Sequence, residues 1–402
     1  MIEGRDFVVF GLQSWDLHIA TTIKYTALEF SKKNRVLFVN PPLQRSFQIL
    51  HRDLPEVRKS LKIIKKEADD LVRFNDNLWV LYPRTILESI NWIKNHSLFN
   101  FFNKLNDKRF ARQIKKSLEK LNFRNIILFN DNSMINGFYF KELLGPKVQV
   151  YLLRDAVTLV SYHAHHGTIL EPQLINKSDI VVTNSDFFAD YARKSNPNSK
   201  MIGQGCDVSL YSDPDGKMPI PSDVESISHP RIGYVGYLTT IRLDIDLLIY
   251  IAEQRPGWQL VLVGPEDQDF KNCKLHEILN VIFLGTKEPT QLPAYVKSFD
   301  VALNPQIVNP ITDINYPLKI DEYLAMGKPV VATKTTFMKY FEQDTYLAST
   351  KEEYLTLIEQ ALKENSPEKE FRRTEVARSH SWGNFVEQIY DGIMKFETKT
   401  EI

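Results

Sequence analysis

The 402-residue chain is poor in cysteine, carries no net charge and has no long apolar run, and each shortage excludes a class of protein. Its two cysteines, Cys206 and Cys273, lie far apart without Cys-x-x-Cys spacing. That argues against a disulfide framework or a zinc site and fits a reducing compartment. Fifty Lys/Arg balance fifty Asp/Glu, so the molecule as a whole lacks the basic surplus of a nucleic-acid binder. No stretch approaches the roughly 20 apolar residues of a membrane-spanning helix. Residues 1–5 lack the charged and apolar regions of a signal peptide, and a cytoplasmic location is the expectation.

What is present is a globular composition, 43% hydrophobic and 25% charged, at a length that suits two or three domains. Short β-branched runs recur at 7–11, 35–40, 78–82, 125–130, 148–153 and 179–183, with amphipathic stretches between several of them. This is the pattern of parallel strands buried on both faces and joined by crossover helices. A polar segment with Pro214, Pro219, Pro221 and Pro230 reads as a linker. The alternation then restarts, with strands at 231–238, 258–264, 281–285, 301–304 and 329–333 and helices at 244–255, 293–299 and 317–326. Helical patterns at 352–363, 368–379 and 382–396 close the chain. The expected organisation is a first αβα domain at 1–212, a linker at 213–230, a second domain at 231–380 and a final helix at 381–402. Ligands of open α/β sheets bind beyond the carboxyl ends of the strands, so chemistry is sought in the loops there.

Residues 315–333 carry the sharpest signal. Pro317 suits a first helical turn, Ile320 and Leu324 share one face, Gly327 ends the helix and Pro329 opens a buried strand. A helix N-terminus offers free N–H groups and partial positive charge to a phosphate. Lys319 adds a full charge, and Glu322 can accept two hydroxyl hydrogen bonds. The plainer alternative is a surface pair of Lys319 and Glu322 at i, i+3, worth about 0.2–0.5 kcal/mol.

The stretch Pro317-Leu318-Lys319-Ile320-Asp321-Glu322-Tyr323-Leu324-Ala325-Met326-Gly327-Lys328-Pro329-Val330-Val331-Ala332-Thr333 resembles the donor-binding helix of GT-B-fold glycosyltransferases, particularly glycosyltransferase family 4. The upstream segments at 231–236, 244–265, 281–285 and 292–301 resemble the same domain in the same order. The resemblance implies two Rossmann-like domains facing a central cleft, with the last helix crossing back to the first domain. It implies that Glu322 binds the ribose of a nucleotide sugar, UDP- or GDP-linked. Lys319 and the amides near Pro317 and Leu318 hold the diphosphate, Gly236 lets the backbone approach the donor, and Arg242 is a second cation. An exposed loop arginine is the alternative for Arg242, and a solvated loop lysine is the favoured one for Lys287. Many members of the family carry a first glutamate eight positions before the second. Here that position is Ile314, flanked by Asp313 and Asn315.

The first half resembles bacterial enzymes of cell-surface polysaccharide pathways, including teichuronic-acid-type glycosyltransferases, at residues 11–16, 35–42, 153–155 and 171–185. Asp155 ends a strand and is a candidate catalytic residue, although Arg154 beside it can neutralise it. Trp15 and Asp16 are acceptor-side candidates, as a sugar-stacking ring beside a carboxylate. A tryptophan packed at a loop base is the alternative. His163, His165 and His166 read as a loop lining the acceptor side, with His163 the candidate. No carboxylate or cysteine pattern completes a metal set with them. Glu171 reads as a helix N-terminal charge, and Asp244 with Asp246 as a helix cap.

Residues 45–120 hold 17 Lys/Arg against nine Asp/Glu. Ile90, Trp92, Ile93, Leu98, Phe99, Phe101 and Phe102 add a dense apolar stretch. Either the segment rests on an anionic membrane, making the protein peripheral on the inner face, or it is an ordinary helix with a solvated basic face. The implied activity is transfer of a hexosyl group from a nucleoside-diphosphate sugar to a hydroxyl acceptor, glycan or lipid-linked, with retention at the anomeric carbon. Neither a metal nor a separate cofactor is expected, and no nucleic acid. The rival readings are a nucleotide-sugar epimerase of the same fold and a non-catalytic glycosyltransferase-like subunit.

Overall fold

A computed structural model describes residues 2–17 and 21–400; residue 1, which opens the N-terminal segment read above, lies outside them. The chain divides into two compact units. Unit 1 comprises Met1–Gly203 and Phe385–Ile402, and unit 2 comprises Gln204–Asn384.

Unit 1 is built on an eight-stranded sheet. Its strands are β1 (Asp6–Gly11), β2 (Arg35–Val39), β3 (Leu71–Arg73), β4 (Leu78–Leu81), β5 (Ile127–Asp131), β6 (Val148–Leu153), β7 (Ile180–Thr183) and β8 (Ser199–Met201). Their order is β3-β4-β2-β1-β5-β6-β7-β8, parallel throughout except for the antiparallel edge pair β3–β4. Every residue of β1 is buried, which is why the strand reads as a continuous apolar run. The chain's last helix, Trp382–Thr400, belongs to this unit from Phe385 onward. Tyr390 packs against Phe7 and Phe30, and its hydroxyl accepts a hydrogen bond from Asn34 Nδ2 at 2.8 Å. Glu397 takes ion pairs from Arg5 and Lys147.

Unit 2 holds a six-stranded, wholly parallel sheet: β9 (Arg231–Val235), β10 (Gln259–Val263), β11 (Val281–Gly285), β12 (Val301–Asn304), β13 (Val330–Thr333) and β14 (Tyr346–Ala348), in the order β11-β10-β9-β12-β13-β14. Alternate side chains feed two cores. Leu260 and Leu262 of β10 enter one, and Val261 and Val263 enter the other. The segment expected as a linker is built into this unit instead. Val224 is fully buried, and Lys297 Nζ donates to Gly216 O and Met218 O while pairing with Asp213.

In each sheet the strand order reverses direction beside its first strand, between β1 and β5 in unit 1 and between β9 and β12 in unit 2. Connections leave such a point on opposite faces, so a crevice opens at the carboxyl ends of the two strands.

Candidate functional site

The switch point of unit 2 gathers the residues singled out at 236, 242 and 317–322. β9 ends at Val235, and Gly236 follows with φ 144°, a conformation open to glycine. Its amide donates to Val263 O at 2.9 Å. Gly264, also at φ 144°, closes β10 against it. A Cβ on Gly264 would sit 1.9 Å from Gly236 O, so the two turns pack backbone to backbone. A Cβ on Gly236 would meet Lys319 Nζ at 3.2 Å.

The helix that carries Lys319 spans Lys319–Ala325. Pro317 therefore precedes the helix rather than opening it, and Leu318 is the N-cap without a side-chain cap. Ile320, Tyr323 and Leu324 are fully buried, and the Tyr323 hydroxyl accepts from Val235 N at 2.9 Å, which pins the helix to β9. At the other end Gly327 takes φ 71°, with Gly327 N donating to Leu324 O and Lys328 N to Tyr323 O. That is a left-handed helix stop of the kind its glycine implied. Ile320 N and Asp321 N bond back to Pro317 O and Leu318 O. The amides of Leu318 and Lys319 make no hydrogen bond among the described residues and remain at the mouth of the turn.

Lys319 and Glu322 do not form the surface pair that their spacing allowed. Lys319 has no carboxylate partner among the described residues, and its ammonium lies 5.0 Å from the Tyr234 ring centroid. Burial pushes the Glu322 carboxyl up to about 7, against the pull of Lys319 and the Tyr211 hydroxyl and with Asp321 adding to it. Asp321, by contrast, is structural. It is fully buried, accepts from the Tyr316 hydroxyl at 2.6 Å and pairs with His380 at 2.8 Å. Arg242 is exposed, and its guanidinium has no carboxylate partner among the described residues. Its backbone is fixed, because Ile307 N, in the loop after β12, donates to Arg242 O. Lys287 is not a solvated lysine; it pairs with Asp223 at 2.6 Å.

The gap at Ile314 is resolved in part. Asp313 cannot easily stand in for a glutamate, because its two carboxylate oxygens accept from Thr336 N and Thr336 Oγ1, each at 2.8 Å. Asn315 Oδ1 is buried without a hydrogen-bond partner among the described residues. Asn304, at the carboxyl end of β12, was not singled out in the sequence. Both polar atoms of its carboxamide are buried and unbonded, a property that no sequence pattern announces.

In unit 1 the switch point is lined by the ends of β1, β5 and β6. Arg154 bridges the buried Asp131 (Nε to Oδ1, 2.7 Å) and Asp155, so the Asp155 charge is balanced in place. Asn132, at φ 55°, accepts from Arg154 N and Asp155 N and fixes that corner. Trp15 is not an open plate: it is 6% exposed, edge-on to Phe38 and Phe74, with its amide on Asn40 Oδ1. Asp16 stays at the surface and pairs with Lys59 and the Tyr82 hydroxyl.

The three histidines sit on the helix Ser161–Lys177, not in a loop. His166 is buried against Phe99, with ring centroids 3.6 Å apart, and His165 contacts Lys94 O. His163 lines a cavity of about 180 Å³ with Gly11, Asn40, Gln44, Ser133 and Asn136. Its Nδ1 is buried and unbonded among the described residues, and burial lowers its pKa. Glu171 is not at a helix start. It lies well inside the same helix, and burial pushes it up to about 7. Asp244 does cap its helix, accepting from Leu247 N at 2.9 Å.

Two parallel-sheet α/β units with ligand-competent switch points are the architecture of GT-B glycosyltransferases. Residues 229–364, within unit 2, match the family described as Glycosyl transferases group 1. Among curated proteins, the chain is 28% identical over 244 residues to TuaH of Bacillus subtilis (strain 168), described as a teichuronic acid biosynthesis glycosyltransferase. The alignment covers 56% of this chain and 59% of that protein. Among solved structures, sucrose-phosphate synthase of Thermosynechococcus elongatus matches at TM-score 0.64 and 14% identity, over 98% of this chain and 100% of that one. Anabaena HepE in complex with UDP matches at TM-score 0.66 and 14% identity, over 97% and 100%. At these identities the two structures speak for the fold.

Proposed function

We propose that the chain transfers a sugar from a nucleoside-diphosphate sugar to a hydroxyl acceptor in polysaccharide synthesis, with unit 2 binding the donor. The observation that carries this reading is a Lys319 ammonium beside Gly236, without a salt bridge among the described residues, and a half-buried Glu322 carboxyl one turn on. Breaking the anomeric C–O bond leaves positive charge on the sugar and negative charge on the diphosphate. Lys319, Arg242 and the free amides of the turn stabilise the latter, as charges and dipoles fixed before reaction. Glu322 takes the ribose hydroxyls, and Asn315 Oδ1 is the polar atom left for the transferred sugar. Transfer proceeds with retention and without a metal, the leaving phosphate taking the acceptor's proton. The UDP found on HepE supports uridine as the base.

His163 and its cavity supply the acceptor side, with a glycan or lipid-linked hydroxyl as acceptor. The exposed side chains of Ile49, Leu50, Trp92 and Phe101 lie in the basic segment 45–120, which supports peripheral contact with an anionic membrane. The absence of a glutamate at 314, with Asp313 engaged elsewhere, favours the non-catalytic subunit as the second reading.

The test is a thermal-shift screen against UDP, GDP and their sugars, followed by donor turnover. Ligand binding to the native state raises the midpoint by mass action. The expected result is a shift with uridine nucleotides that Lys319→Ala abolishes. Turnover unaffected by Lys319→Ala combined with Glu322→Ala would refute the assignment. Binding without any turnover would favour the non-catalytic reading.

A further inference from the structure

Unit 1 carries a second charged concavity that the donor site does not explain. A groove of about 560 Å³ is lined by Arg45, Lys66, Arg84, Arg109, Arg112 and Lys116, with the Asp70 carboxylate and Gln113 also in its wall. That volume is within the range of sites that hold small ligands, about 300–1,000 Å³. Arg109, Arg112 and Lys116 lie three and four residues apart on the helix His96–Leu121, so they form one face. The remaining three come from separate segments and converge on that face.

Compensation is incomplete. Arg45 and Arg109 share the single carboxylate of Glu88. Arg84 faces Asp70 at 3.3 Å, and Gln113 Nε2 also reaches Asp70. Lys66, Arg112 and Lys116 have no carboxylate partner among the described residues. Two carboxylates thus serve six cations.

The groove is also held in shape. Gln113 Oε1 accepts from Arg84 N at 2.8 Å and from Thr85 Oγ1 at 3.2 Å, which fixes the start of the Arg84 side chain. Arg84 Nε is buried and faces Asp70 Oδ2 at 3.3 Å without hydrogen-bond geometry. Guanidinium forks match the oxygens of phosphate in a bidentate way.

We propose that this groove binds a phosphate-bearing ligand, a phosphoryl or diphosphoryl group gripped by Arg84, Arg112 and Lys116. The inference does not rest on the donor site. The group can come from a soluble phosphate compound or from a lipid headgroup, and the experiment separates the two.

The full chain is titrated calorimetrically with inorganic pyrophosphate at physiological ionic strength, and sedimented with phosphatidylglycerol and with phosphatidylcholine vesicles. Lys319→Ala removes the competing site in unit 2 and serves as background. On it, Arg112→Glu with Lys116→Glu is compared with Lys108→Glu and Lys115→Glu, an equal charge reversal on the same helix outside the groove lining. The expected result is at least tenfold weaker pyrophosphate binding for the first pair and little change for the second. Arg84→Gln should weaken it as well. If phosphatidylglycerol binding falls in parallel, the ligand is a headgroup; if it is unchanged, the ligand is soluble. Equal losses from both pairs would mean diffuse charge and would overturn the site, as would pyrophosphate binding that the groove pair leaves intact.

Discussion

Glu322→Gln should make the protein more stable while weakening nucleotide binding, and the pH dependence of the gain is its signature. In the folded chain burial holds the Glu322 carboxyl up to about 7, against 4.5 for an ordinary glutamate. Below about pH 4.5 both folded and unfolded forms are protonated, and the residue contributes no pH dependence. Between there and pH 7 the unfolded chain gives up the proton while the folded chain keeps it. The folded state then binds more protons, so stability falls as pH rises. Above 7 both are ionised and the loss levels off. At about 1.4 kcal/mol per pH unit, the residue costs the fold about 3 kcal/mol at pH 8. Glutamine carries no charge and removes that cost. Urea unfolding followed by a probe in unit 2 should therefore show near-equal stability of wild type and variant at pH 4. At pH 8 the variant should be ahead by about 3 kcal/mol, or about 6–12 °C in midpoint for a domain of this size. In the same samples UDP should protect the variant less than the wild type. An equal gain at both pH values, or none at either, would show that the carboxyl is solvated and that the ribose assignment has lost its physical basis.

Lys319→Ala should lower turnover about 10²–10³-fold, the usual cost of one preorganised charge at a leaving group, with little change in midpoint because the ammonium has no ion pair among the described residues. A UDP-release assay checks it. Gly236→Ala should both destabilise unit 2, by about 1–3 kcal/mol of backbone strain, and weaken nucleotide binding, since the new Cβ would sit 3.2 Å from Lys319 Nζ. Calorimetric titration with UDP reads the second effect. Trp15→Ala should cost about 3–5 kcal/mol in urea unfolding, as loss of a buried aromatic does, whereas Trp15→Phe should leave acceptor KM unchanged, because the ring packs on Phe38 and Phe74 rather than on substrate.

What the sequence disclosed follows the range of the forces involved. The helix at 319–325 was legible because its determinants are local: a proline before it, two apolar side chains four apart and a glycine past its end. The buried strands of both sheets were legible for the same reason, since burial on both faces leaves no polar gap in the run. β3, β8 and β14, three residues each, were missed because edge strands are held by pairing with a neighbour and need no apolar pattern of their own. The final helix was expected whole at 381–402 with the first domain, whereas its first residues count with unit 2 and only those from Phe385 onward with unit 1.

Side-chain roles were less legible because they depend on residues far away in sequence. Trp15 and Asp16 are adjacent, yet Phe38 and Phe74 close over the first while the second stays at the surface with Lys59. Asp313 and Asn315 flanked the same gap with equal claims until Thr336 took both oxygens of the first. Arg154 was read only against its neighbour Asp155, although its deeper partner is Asp131 at the end of another strand. In unit 2, by contrast, the structure does bring Gly236, Lys319 and Glu322 near one another, and the reason is topological. The switch point brings the ends of β9 and β12 together whatever the intervening loops contain. A site placed there is specified by the strand order and a few backbone-permissive residues, whereas a site assembled from loops and helix faces is specified by packing. The first kind can be read from a short motif. The second becomes readable only when His163 is seen lining a cavity with its Nδ1 unbonded among the described residues, and His166, three residues on, is seen stacked on Phe99.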